Sequence, residues 1–204
     1  MAELTLTTFL TLDGVMQAPG GPGEDTSGGF PHGGWLVPHF DDDMGKTMDE
    51  IFQKADAFLL GRTTYDIFAA YWPRITDPGD LIAFKLNTLP KHVASRTRTA
   101  FDWNKSSLVR DVAKEVAELK KRYPREVQVH GRCGLAQTLI DNDLVDEYRL
   151  LTFPVILGMG KRLFGAGAVP ATLTLVRSST TSTGVIVSVY RRAGSLKTGS
   201  FALD

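Results

Sequence analysis

The stretch VQVHGRCGLAQTLI, residues 127–140, decides how this chain is read. Its first part reads as a buried strand and its second as an apolar helix, with Gly131 and Gly134 at the junction. A helix start offers unpaired N–H groups and a partial positive charge, so a phosphate can dock where glycine leaves no side chain in the way. A tight turn with no ligand accounts for the same residues. The segment FLLGRTTY (58–65) repeats the strand, glycine, helix order and adds Arg62, Thr63 and Thr64 at the helix start. In α/β sheets ligands sit where strands end and helices begin, so Gly61 and Gly131 face one crevice if their strands are neighbours. Neither junction matches the dinucleotide-binding fingerprint or the P-loop, since 131–136 reads Gly-Arg-Cys-Gly-Leu-Ala.

Working outward, 204 residues suffice for one well-cored domain, and no linker composition divides them. Lys plus Arg and Asp plus Glu are 23 each, giving net charge +0, which argues against gripping nucleic acid or an anionic membrane by bulk electrostatics. Any anion site must be local. The single cysteine, Cys133, excludes an intrachain disulfide and multi-thiolate metal cages. The start lacks a signal-peptide pattern and no run is long enough for a membrane span, so a cytoplasmic location is expected. Asn104-Lys105-Ser106 matches a glycosylation sequon but has no secretory context.

Leu4, Leu6, Leu10 and Leu12 alternate with Thr5, Thr7 and Thr11, the period of a strand. Residues 17–34, QAPGGPGEDTSGGFPHGG, are too rich in glycine and proline to form an element, and read as disordered or as a lid in which Phe30 and Trp35 cover bound rings. FDDDMGKTMDEIFQKA predicts a helix with acids at its start and Met44, Met48, Ile51, Phe52 and Ala55 inward. The pass continues with a strand at 57–60, a glycine-opened helix stopped by Pro73 and Pro78, a brief helix in LIAFKLNTL and a strand at 91–95. An amphipathic helix in DVAKEVAELKKRY then turns Val112, Val116 and Leu119 inward. DEYRLLTF, LTLVRS and GVIVSVYRR are three further strands, the last two an antiparallel pair. Strands alternating with helices, followed by a strand-only C-terminal third, predict a three-layer α/β domain with a mixed sheet.

This order of pieces resembles the dihydrofolate reductase-like superfamily, and more closely the reductase domain of bacterial riboflavin biosynthesis and its stand-alone relatives. The matching stretches are TTFLTLDGVM (7–16), GGFPHGGW (28–35), ADAFLLGRTTYDIF (55–68), EVQVHGRCGLAQTLI (126–140) and DEYRLLTFPVILGMGKRLF (146–164). The resemblance implies a three-layer αβα dihydrofolate reductase-like fold, its sheet mixed but mainly parallel with a C-terminal antiparallel strand pair. It implies one reductase-like domain over 1–191, with 192–204 as a tail, and a homodimer. NADPH is the implied cofactor, lying along Gly61 to Thr64 and Gly131 to Leu135. Arg62 and Thr63 match the pair that meets its phosphates, with Thr64 close behind, and Ser95 and Arg96 match the region holding the adenosine 2′-phosphate. Gly131, Arg132, Gly134 and Leu135 match the pyrophosphate and nicotinamide-side turn. For Arg62 and Arg96 a solvated surface position is the competing reading.

On the substrate side the resemblance points to Asp13 in LDG, as the catalytic candidate, and to Trp35 as a pocket residue. Asp13 reads equally well as a turn-forming Asp-Gly. Dihydrofolate reductases bind the pterin with a carboxylate on the first helix. Asp41, Asp42, Asp43 and Asp49 lie nearby, none at the expected spacing before Gly61, and Asp43 stands as the candidate among them. His130 adjoins the reacting ring in this scheme, where riboflavin-pathway enzymes tend to carry an acid, although a histidine ending a strand also serves structure alone. His32 and His39 lack an acidic scaffold, so no metal is expected, and Cys133 reads as a small buried filler. Two functions follow. One is an NADPH-dependent reductase of a small heterocyclic or carbonyl-type substrate, pterin-like or riboflavin-precursor-like. The other is a nucleotide-binding or sensing protein that keeps the cleft without turnover.

Overall fold

The computed structural model describes residues 1–131, 133–165 and 168–202. Its strands are β1 (Glu3–Thr11), β2 (Ala55–Gly61), β3 (Lys91–Ala94), β4 (Ser106–Val109), β5 (Glu126–His130), β6 (Glu147–Phe153), β7 (Thr172–Thr180) and β8 (Ile186–Gly194). The helices are α1 (Asp42–Gln53), α2 (Arg62–Tyr71), α3 (Leu81–Thr88), α4 (Val112–Arg122) and α5 (Cys133–Asp141). All the strands join one sheet in the order β4-β3-β2-β5-β1-β6-β8-β7. The first six are mutually parallel, while β8 runs antiparallel to both β6 and β7. This is the mixed, mainly parallel sheet with a C-terminal antiparallel pair that the sequence predicts.

Strand alternation sorts the core into two halves. Phe58 and Leu60 of β2 pack with Met44, Met48, Ile51 and Phe52 of α1, and with Tyr65 and Leu86 from α2 and α3. Ala57 and Leu59 face the other way, onto Val116 and Leu119 of α4 and Ala136 and Leu139 of α5. Helices therefore cover both faces, which gives the three layers. The helix starts follow from side-chain capping: Asp41, Asp80 and Asp111 accept from Met44 N, Ala83 N and Lys114 N. α2 differs, because its N-cap is Gly61 and no side chain fills its first turn.

Three features depart from the sequence reading. β4 goes unread because Ser-Ser-Leu-Val is short and half polar, and only pairing with β3 makes it a strand. β8 continues through Gly194, past the expected boundary at 191, and its apolar stretch lies inside the sheet between β6 and β7. The glycine-rich loop 17–34 is folded back on itself. The Gln17 side-chain amide donates to Asp25 O and Ser27 O at 3.0 and 2.9 Å, and the Trp35 indole N–H donates to Gln17 O at 2.8 Å. A Cβ on Gly33 would lie 2.5 Å from Gly21 O, so this glycine lets two backbone segments touch.

Two buried histidines make the fold acid-sensitive. His92 bridges Ser107 Oγ and Tyr123 Oη at 2.8 and 2.7 Å, and burial pushes it down to about 4 from the ordinary 6.5. Burial, aided by the Arg149 charge, takes His130 down to about 3. Both are neutral in the folded chain and protonate near 6.5 when unfolded, so their contribution is complete above that pH and declines as pH falls toward the folded values. Between pH 7 and 5 each is expected to remove about 2 kcal/mol of stability. Urea unfolding at the two pH values measures the loss, and His92→Gln should shrink it.

Candidate functional site

The C-terminal rim of β2, β3, β4 and β5 opens into a cleft of about 1140 Å³. Three helix starts meet there: Arg62, Thr63 and Thr64 of α2, Val112 and Ala113 of α4, and Cys133, Gly134 and Leu135 of α5. The starts of α2 and α5 favour an anion there through their first-turn N–H groups and macrodipoles, whereas Asp111 already caps α4. Arg62 and Arg96 line the cleft, and among the described residues neither side chain has a hydrogen-bond or ion-pair partner. The loop following β3 supplies Ser95 and Arg96 in a clamped conformation. The Arg110 guanidinium donates to Ser95 O, Arg96 O and Arg98 O at 3.1, 2.5 and 3.0 Å. Arg98 pairs with Asp66 and lies over the Tyr65 ring. Lys161 and Arg162 also line the cleft, paired with Asp25 at 2.8 Å and Asp13 at 3.6 Å.

A second cavity, of about 260 Å³, adjoins the first through Thr64 and Met16, which line both. Phe9, Phe40, Phe52, Phe68, Trp72 and Ile82 make its walls apolar. Its polar lining residues are Thr7, Thr8, Glu24, Thr64 and His130, and the Thr7 and Thr64 hydroxyls are buried without a hydrogen-bond partner. His130 stacks on Phe52 with ring centroids 4.5 Å apart. A few convergent polar groups in an apolar pocket are what a small-molecule site requires.

The residues predicted from sequence divide clearly. Gly61, Arg62, Thr63, Thr64, Ser95, Arg96, Gly134 and Leu135 come together on the cleft, while Gly131 and His130 line the apolar cavity. Arg132 lies outside the described residues. Gly131 has φ +96°, and a Cβ there would lie 2.5 Å from Thr64 Oγ1, so the close approach at this junction is made by the protein's own threonine. In front of Gly134 a Cβ would meet nothing within 4 Å. Of the two glycines, only Gly134 leaves open space for a ligand.

Trp35, Asp13 and Asp43 stand elsewhere. Trp35 is buried edge-on against Phe153, at 5.4 Å between ring centroids, because its indole anchors the loop and not a pocket. The Asp13 carboxylate accepts from Thr11 Oγ1 at 2.6 Å and from Leu157 N and Gly158 N at 3.2 and 2.9 Å. Those bonds, Thr11 foremost, hold its carboxyl below the usual range and tie down the segment after β6, so it is no proton donor to either cavity. Asp43 accepts from Ser182 N at 3.2 Å and faces the β7–β8 turn. Cys133 lines the cleft half-buried, and burial pushes its thiol up, away from the reactive thiolate. Sequence reading missed Thr7, Arg110, Lys161 and the aromatic walls. The strand period of 4–12 placed Thr7 opposite the leucines, but nothing local marked that face as a pocket floor. Among the described residues no helix is long and apolar enough to cross a membrane.

Comparison with known proteins agrees with this geometry. The RibD C-terminal domain family matches residues 2–187. The chain is 32% identical over 195 residues to the uncharacterized protein YyaP of Bacillus subtilis (strain 168), covering 94% of this chain and 96% of that protein. A putative riboflavin biosynthesis protein from Shewanella sp. PV-4 shares the fold with TM-score 0.69 at 21% identity, over 94% of this chain and 99% of the other. A pyrimidine reductase-like protein from Corynebacterium diphtheriae does so with TM-score 0.62 at 13% identity, over 94% and 92%. The diaminohydroxyphosphoribosylaminopyrimidine deaminase/5-amino-6-(5-phosphoribosylamino)uracil reductase of Thermotoga maritima gives TM-score 0.62 at 17% identity, and the match covers 94% of this chain but 57% of that longer one.

Proposed function

Because the chain belongs to the RibD C-terminal domain family, we propose that it is an NADPH-dependent reductase of a small heterocyclic or carbonyl-type substrate. The observation that carries this reading is the pair of unpartnered guanidinium groups, Arg62 and Arg96, in a cleft where three helix starts converge. That donor set suits a dinucleotide with an additional phosphate, since guanidinium groups receive phosphate oxygens in pairs. The open space before Gly134 and the uncapped start of α2 leave backbone N–H groups for the diphosphate. Arg62 and the α2 start hold the phosphates, and Arg96, on the loop that Arg110 clamps, receives the 2′-phosphate.

Bound NADPH supplies the hydride. Thr64, on the wall shared by both cavities, would stand between the cofactor and the substrate, and the aromatic walls would exclude water from the substrate face. With His130 unprotonated and Asp13 tied to its loop, neither supplies the proton that completes the reduction. NADPH at about a hundred times its dissociation constant should stabilise the protein by roughly 2.7 kcal/mol. The expected order in a thermal-shift series is NADPH above NADH, with the NADPH gain much reduced in Arg62→Ala. No shift with NADPH on the wild-type chain removes the cofactor from this reading.

A second reading is favoured by Asp13 being tied to its loop and His130 being neutral: a nucleotide-binding or sensing protein without turnover. It predicts NADPH binding with no NADPH oxidation over pterins, flavin precursors and quinones.

A further inference from the structure

Residues 95–100, which follow β3, form no helix or strand, yet their backbone is gathered by a single side chain. The Arg110 guanidinium, one residue past β4, donates to Ser95 O, Arg96 O and Arg98 O at 3.1, 2.5 and 3.0 Å. A guanidinium offers five N–H donors in a fixed plane, so one arginine serves three carbonyls and fixes their relative positions. Among the described residues Arg110 forms no ion pair, so its hydrogen bonds go to backbone and not to a carboxylate. Its own backbone is held in turn, because Glu115 Oε1 accepts from Arg110 N and Asp111 N, both at 2.8 Å.

Arg98 anchors the other side of the loop. It pairs with Asp66 of α2 and lies 4.8 and 5.6 Å from the Tyr65 and Phe101 ring centroids. Its N–H donates to Ser95 Oγ at 3.0 Å, which closes the turn. The two arginines of this loop are thereby separated in role. Arg98 is bound into the fold, and Arg96 brings an unpartnered guanidinium to the cleft, among the described residues.

We propose that Arg110 is a positioning residue for cofactor selection: it holds residues 95–98 so that Arg96 is presented to the 2′-phosphate, and NADPH is thereby preferred to NADH. A loop ordered before the ligand arrives loses less entropy on binding, and the Arg110 clamp supplies that order. The inference rests on the reading that the cleft takes NADPH, and adds to it a residue that acts without touching the cofactor.

Fluorescence titration of the full chain with NADPH and with NADH tests it. Wild type should bind NADPH more tightly. Arg110→Met should reduce that preference about tenfold, the loss of one charge-assisted hydrogen bond to phosphate, and leave NADH binding unchanged. Arg110→Lys keeps the charge without the planar fork and should recover only a small part. In an Arg96→Met background, adding Arg110→Met should change the preference no further, since Arg110 acts through Arg96. In the ligand-free chain, amide hydrogen exchange over 95–100 should be faster in Arg110→Met and that of β5 unaltered. An undiminished preference in Arg110→Met, full preference in Arg110→Lys, or unaltered exchange over 95–100 overturns the inference. A further loss on adding Arg110→Met to Arg96→Met also overturns it, by showing that Arg110 meets the phosphate itself. The wild-type arm keeps the two readings apart: absence of an NADPH preference there removes the cofactor assignment together with the inference, whereas failure in the variants alone removes only the inference.

Discussion

Arg149→Met is expected to destabilise the protein by about 3–5 kcal/mol, the largest effect of any single substitution considered for this chain. Arg149 is 2% exposed and is the only cation placed between Glu126 and Glu147, both 7% exposed, among the described residues. Burial works against the charge on Glu147, but the Arg149 guanidinium outweighs it and holds that carboxyl below the usual range. Methionine fills similar volume and leaves the buried Glu126 without its counter-ion, while Glu147 keeps only Arg191. For a chain of this length the loss corresponds to a melting temperature roughly 10 °C lower. The gap between variant and wild type should narrow as pH falls and the abandoned carboxylates protonate. Adding Glu126→Gln and Glu147→Gln to Arg149→Met should recover most of the stability. Urea denaturation of the three proteins checks it, and a loss below about 1 kcal/mol for Arg149→Met contradicts the assignment.

Gly131→Ala carries the second large effect, expected at about 2–4 kcal/mol from a left-handed backbone and a forced contact together. The added methyl would meet Thr64 Oγ1 at 2.5 Å and Cγ2 at 2.9 Å, and α2 cannot withdraw without opening its packing beneath Tyr65. Thr64→Ala removes both atoms, so the double variant should be more stable than Gly131→Ala alone, by the part owed to contact. The backbone part should remain. Additive losses in this cycle would show that the two residues do not press on each other.

Much of the fold was legible because periodic apolar residues carry it. The alternation in β1 and the inward stripe of α4 needed no tertiary information, and Asp41, Asp80 and Asp111 stand where helix caps belong. β4 was not legible, since four residues with two serines have no period to detect. In the site, motifs at glycine-helix junctions led to the cleft wall, because a strand end, a glycine and a helix start are all local in the sequence. Asp13, Trp35 and Asp43 were misplaced for the opposite reason: a polar or aromatic residue near a loop looks the same whether it faces a ligand or braces the chain. Their bonds to Gly158, Gln17 and Ser182 span long stretches of sequence. His130 meets Gln128 Oε1, whose amide is turned by Glu126 and Ile51 O, so its hydrogen bonding depends on two strands and a helix and no reading of one segment could reach it.

The ionic ladder from Glu126 through Arg149 and Glu147 to Arg191 and Glu3 occupies the start of the parallel strands, whereas both cavities open at their far ends. Cohesion and recognition are thereby lodged at opposite margins of one sheet. No residue of the ladder lines either cavity, so the cavity walls can be varied by substitution without removing an anchoring charge.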